Sequence, residues 1–154
     1  MSLSPERSKS LTPHWLVCAA ALLLLIGYNI ICHVWADDIK IDLEESQRVL
    51  IRTILYVITI ALFPLTNLMR HILLRLNQTM PGNKSATQRY LVTVIVTQAM
   101  IEIVSLFGLL MFVLGDDFNT LYIFTLLGVL GIYLHMPKIA ELQAIEHALS
   151  ENDN

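Results

Sequence analysis

Four stretches of this chain are almost wholly apolar, from Trp15 to Trp35, Arg48 to Met69, Tyr90 to Gly115 and Phe118 to Met136. Each approaches or exceeds the roughly 20 residues a helix needs to cross a bilayer. Polar, turn-forming segments separate them. The pattern predicts an all-α integral membrane bundle of four transmembrane helices, at about 15–35, 48–69, 90–114 and 118–136. Trp15 and Trp35 mark the ends of the first stretch, where interfacial aromatic anchors belong. Pro64 falls inside the second and predicts a kink that neighbouring helices make tolerable. Arg52 lies one turn inside the same helix, shallow enough to snorkel to the headgroups.

The connections differ in character. Residues 1–14 are polar and read as a short cytoplasmic tail. Residues 37–47, DDIKIDLEESQ, form an acidic linker, and a helix start near Ser46 is expected. Helix is expected to run on past the second crossing through Arg70, His71 and Arg75. Pro81-Gly82-Asn83 signals a turn within the loop at 77–89, and Gly115-Asp116-Asp117 a tight acidic turn. In the tail at 137–154, Ile139, Leu142, Ile145 and Leu149 share one helical face. That spacing predicts an amphipathic helix on the membrane surface or against a partner. A signal peptide is the rival reading of the first stretch, since Val34-Trp35-Ala36 fits a cleavage site. The long leading region with Glu6, and the length of the uncharged stretch, favour a retained helix.

Composition agrees with the membrane reading. The 154 residues are 55% hydrophobic and 15% charged, with mean hydropathy +0.62. Soluble domains carry about 25% charged residues. Basic residues also set an orientation. With the N-terminus inside, seven (Arg7, Lys9, Arg70, Arg75, Lys84, Arg89, Lys138) fall on the inner side and three (Lys40, Arg48, Arg52) on the outer. Both termini are then cytoplasmic, and the expected location is the inner (plasma) membrane. The net charge of −3, with cations only at membrane edges, argues against a nucleic-acid partner. Cys18 and Cys32 are about 21 Å apart along one helix and cannot pair within it. No CxxC or Cys/His cluster is present, so no metal and no cofactor is expected. The pattern Asn77-Gln78-Thr79 fits a glycosylation acceptor, but it falls on the cytoplasmic side.

The third stretch holds the candidate chemistry. Glu102 lies about 18 Å from Tyr90, near the bilayer midplane. A charge there costs at least about 2.5–3.5 kcal/mol unless it is neutralised or paired. Gln98 precedes it by four residues and Ser105 follows by three, so the three share a face that should meet protein or water. One reading is a proton-carrying or cation-binding carboxylate with Gln98 as its hydrogen-bonding neighbour. The other is a protonated acid that bonds a neighbouring helix. Tyr28 and Asn29 on the first helix and Tyr56 and Thr59 on the second are the expected partners, with Arg52 an outside candidate. Gly108, Gly128 and Gly131 predict close packing of the third and fourth helices. His33 and His135 read as interfacial side chains.

The run Ala99 through Ile101-Glu102 to Leu106-Phe107-Gly108-Leu109-Leu110 resembles the carboxylate helix of the proteolipid c subunits of rotary ATP synthases. The polar loop at Pro81-Gly82-Asn83 precedes it, as in that family's helical hairpin. The resemblance implies an ion-carrying role for Glu102, with Gln98 assisting. It covers about 20 of the 154 residues. The family's preceding helix is glycine-rich, whereas 51–69 here has no glycine, so the resemblance does not extend to a ring. The whole chain looks similar to small four-helix bacterial membrane proteins of unknown function.

Two functions follow as expectations. The first is a structural or accessory component of a membrane complex or homo-oligomer. The alternative is a component of proton or cation translocation that uses Glu102. No nucleophile–base pair or phosphate loop stands out, so no enzyme is expected.

Overall fold

The computed structural model describes residues 11–41 and 43–152. Most of the predicted tail at 1–14, with Arg7 and Lys9, lies outside the described residues, as do Asp42 and the last two positions. Six helices follow in order: α1 (Thr12–Val34), α2 (Ala36–Ile39), α3 (Glu45–Thr79), α4 (Ala86–Val113), α5 (Phe118–Leu134) and α6 (Ile139–Asn152). Three of them, α1, α3 and α4, are long and apolar enough to cross a membrane. A fourth span results if α5 and α6, bent by 42° at their junction, count as one broken span.

Local chemistry sets the boundaries. Pro13 sits in the first turn of α1, where its missing N–H costs nothing. Ser85 Oγ accepts from Gln88 N at the start of α4, and Asp117 Oδ1 from Thr120 N at the start of α5. α3 passes through Pro64 without a break and continues to Thr79, ten residues beyond the predicted crossing. The loop before α4 is therefore shorter than expected, only 80–85. This end of the bundle, which also carries α6, is called the loop end below. The opposite end, closed by residues 114–117, is the turn end.

At the turn end Gly115 adopts φ +89°, and a Cβ there would meet the Ile41 carbonyl at 2.7 Å. Ile41 N donates to Val113 O at 2.7 Å, and Arg48 Nη1 donates to Gly115 O at 2.6 Å. The acidic linker is thus stitched to the α4–α5 turn.

The centre is α4, which lies against α1, α3 and α5 and buries residues along most of its length. Glycines bring α5 close. A Cβ on Gly131 would meet Ile101 Cγ2 at 2.6 Å, one on Gly128 would overlap Ser105 Oγ, and one on Gly108 would meet Phe124 Cβ at 2.9 Å. Opposite faces of α1 and α3 stay apolar and exposed, as in Leu16, Leu23, Ile30, Val57, Ile60 and Leu68. Such faces suit lipid.

The tail helix corrects an expectation. Its apolar face packs into the bundle itself. Leu142 and Ile145 are fully buried in the bundle's own core, with Leu11, Cys18, Tyr90 and Val94.

Candidate functional site

Gln98, Glu102 and Ser105 project from α4 as the helical spacing requires. Gln98 and Ser105 are 2% and 4% exposed. Glu102 is half-buried at the border between the packed face and the exposed row Ile95, Ile103, Leu106 and Leu110. Both of its carboxyl oxygens are nonetheless shielded, and neither has a hydrogen-bond partner among the described residues. Gln98 Oε1 and Ser105 Oγ share that condition, as does Thr59 Oγ1 on α3. A buried polar atom without a partner costs about 1–3 kcal/mol. Three such side chains lie within two turns on one face of α4.

The predicted partners of Glu102 are engaged elsewhere or not bonded to it. Arg52 pairs with Asp116 at 3.1 Å, at the turn end. Asn29 Nδ2 donates to Thr125 Oγ1 at 3.0 Å and ties α1 to α5. Tyr56 stacks on Phe124 at 4.9 Å. Tyr28 lies within coulombic reach of the carboxylate without a hydrogen bond to it.

The loop end holds the largest polar cluster, built on Arg70. This side chain is buried at the loop end of α3, and each of its three nitrogens donates. Nε and Nη2 reach Glu141 of α6 at 3.3 and 2.6 Å. Nη1 donates to His135 O at 2.8 Å, and Nη2 also to Met136 O at 3.1 Å and Tyr90 OH at 3.3 Å. Tyr90 OH donates to Glu141 Oε2 at 2.7 Å and accepts from Lys138 N at 2.8 Å. The carbonyls of His135 and Met136, just past the end of α5, are thereby satisfied, which holds the bend into α6.

Gln98 joins this cluster. Its Nε2 donates to His135 O and to Cys18 Sγ, each at 3.3 Å. The amide is thus turned toward the loop end, with its oxygen left over. His14, fully buried, adds a ring contact to Tyr90 at 4.8 Å.

Both predicted interfacial histidines have intramolecular roles. His33 Nε2 meets Tyr122 OH at 2.8 Å, and His135 Nδ1 meets Gly131 O at 2.9 Å. Arg89 closes the α3–α4 loop by donating to the carbonyls of Asn77, Met80, Gly82 and Lys84. Asn77 is itself held, donating to Arg89 O and Thr93 Oγ1 at 3.0 and 2.8 Å.

Arg70, Tyr90 and Glu141 escaped the sequence reading. In the sequence Arg70 reads as a charge that sets orientation, and Glu141 carries no signal of its own. The available signal was Arg70's place on a helix that continues past the apolar stretch. Among the described residues no three His, Cys, Asp or Glu side chains gather as a metal site would require. No family model, curated protein or solved structure matches the chain.

Proposed function

We propose that this chain is a small polytopic inner-membrane protein with both termini cytoplasmic, serving as a structural or accessory component of a membrane complex. The observation that carries this reading is Glu102. Its carboxyl is shielded, lies beside the exposed row of α4 and has no partner among the described residues. In hydrocarbon such a group gains most from a donor on a neighbouring helix of another molecule. The apolar outer faces of α1 and α3 leave room for that neighbour.

The test is co-purification in mild detergent. Wild type and Glu102→Gln should bring down the same companion, because the amide still offers neutral hydrogen bonds. Glu102→Leu should lose it. Retention of the companion by the leucine variant would remove the basis for the reading.

A second reading, proton or cation translocation through Glu102, draws support from the polar side chains that approach it from the loop end. It requires that Glu102→Gln abolish ion-dependent activity and that dicyclohexylcarbodiimide modify Glu102.

A further inference from the structure

The surroundings of Glu102 differ sharply toward the two ends of the bundle. Toward the loop end, α4 presents Gln98 one turn away, a rise of about 6 Å. From Gln98 the bonded groups continue through the His135 carbonyl to Arg70, Tyr90 and Glu141. The Glu141 side chain is 19% exposed, so the series ends at the surface. A cleft of about 180 Å³ lined by Asn67, Arg70, His71, Lys138 and Glu141 opens beside it.

Toward the turn end, past Ser105 and the Asn29–Thr125 pair, the contact between α3, α4 and α5 is apolar. Leu55, Val104, Met111 and Phe124 form a cluster with Tyr56 and Phe107 packed against it. Phe107 meets Phe124 edge-on at 6.1 Å, and Tyr56 stacks on its other side. Past this plug the Arg52–Asp116 pair and the stitched linker close the end.

We infer that Glu102 exchanges with water from the loop end only, through the polar column that runs from Glu141 by Arg70 to Gln98. Gln98 is the positioning residue. Its amide N–H groups are fixed by Cys18 and His135, which leaves its oxygen without a hydrogen-bond partner among the described residues. The titratable and charged groups along the route are Cys18 and His14 of α1, Arg70 of α3, Tyr90 of α4, His135, and Lys138 and Glu141 at and on α6. The Arg70 charge is matched by Glu141, and Lys138 adds a cation at the mouth of the route. This inference rests on the spans crossing a bilayer. It holds whether Glu102 bonds a companion or carries a proton.

Sidedness is measured with thiol labelling. Cys18 and Cys32 are replaced by alanine, and Glu102→Cys is introduced in membrane vesicles of known orientation. Single cysteines at Asn83 and Ser46, both exposed, report the loop and turn ends. A membrane-impermeant thiosulfonate should reach position 102 from the Asn83 side at least about tenfold faster than from the Ser46 side. Adding Gln98→Leu should slow that reaction to the background rate. Labelling from the Ser46 side, from both sides alike, or from neither would overturn the inference. Because the cysteine variant could perturb packing, the unaltered chain is also treated with an impermeant carbodiimide from each side. Modification of Glu102 only from the loop end is expected. Modification only from the turn end, or equally from both, would overturn it. Loss of sidedness with intact companion binding would strike this inference alone.

Discussion

Arg70 of α3 and Glu141 of α6 meet at 2.6 Å, and their contact fixes the tail helix to the bundle. The Arg70 side chain is only 6% exposed, so the guanidinium depends on its partners for every donor. Breaking a buried pair by removing one partner typically costs about 3–5 kcal/mol. Arg70→Ala should therefore lower stability in detergent by about that amount and release α6 to protease. Glu141→Gln should cost less, since its oxygen still accepts from Arg70 and Tyr90. Equal midpoints for wild type and Arg70→Ala in thermal unfolding would contradict this.

The Gly128–Ser105 approach makes a second case. A methyl at Gly128 overlaps the Ser105 hydroxyl, and overpacking costs roughly 1–3 kcal/mol. Gly128→Ala should destabilise the bundle within that range. Ser105→Ala in the same chain should recover most of the loss, because the hydroxyl is the nearest obstacle and the next, Leu25 Cδ1 at 3.0 Å, is the end of a flexible side chain. Ser105→Ala alone should be near neutral, as that hydroxyl has no hydrogen-bond partner among the described residues.

Glu102 provides the reverse test. The carboxyl has no bond to lose within the described chain. Glu102→Leu should then stabilise the isolated protein, by about 1–3 kcal/mol from relief of an unsatisfied polar burial. Unfolding followed by circular dichroism in detergent measures it. A drop in stability would reveal a partner inside the bundle.

At the turn end Asp116 should matter more than Arg52. The Arg52 side chain is 32% exposed against 8% for Asp116, and Asp116 Oδ1 also accepts from Asp117 N. Arg52→Ala should cost about 0.2–1 kcal/mol, in the range of a surface pair. Asp116→Ala should exceed it, because it strands the arginine and the turn N–H together. The ordering, read from denaturation of the two variants side by side, checks the assignment.

Some of this was legible in the sequence. Uninterrupted apolar runs located α1, α4, α5 and the start of α3 to within a few residues, because such runs have few other uses. The spacing of Gly108, Gly128 and Gly131 foretold a close α4–α5 contact. Glu102 stood out because a carboxylate amid aliphatic residues is costly. What escaped was long-range. Arg70 and Glu141 are 71 positions apart, and Arg52 and Asp116 are 64 apart. Nothing local links such pairs. An amphipathic helix also carries the same spacing whether it lies on lipid or folds onto its own bundle, so the place of α6 could not be read. The extension of α3 to Thr79 was only half visible, since polar residues do not stop a helix that a turn signal has not yet ended.

The absence of side chains at Gly108, Gly128 and Gly131 means that α4 and α5 interlock backbone to side chain. They should behave as a single strut that cannot slide or rotate internally without collision. Any displacement that changes the company of Glu102 must then come from α1 or α3, the other long helices packed on α4, moving like doors against a fixed frame.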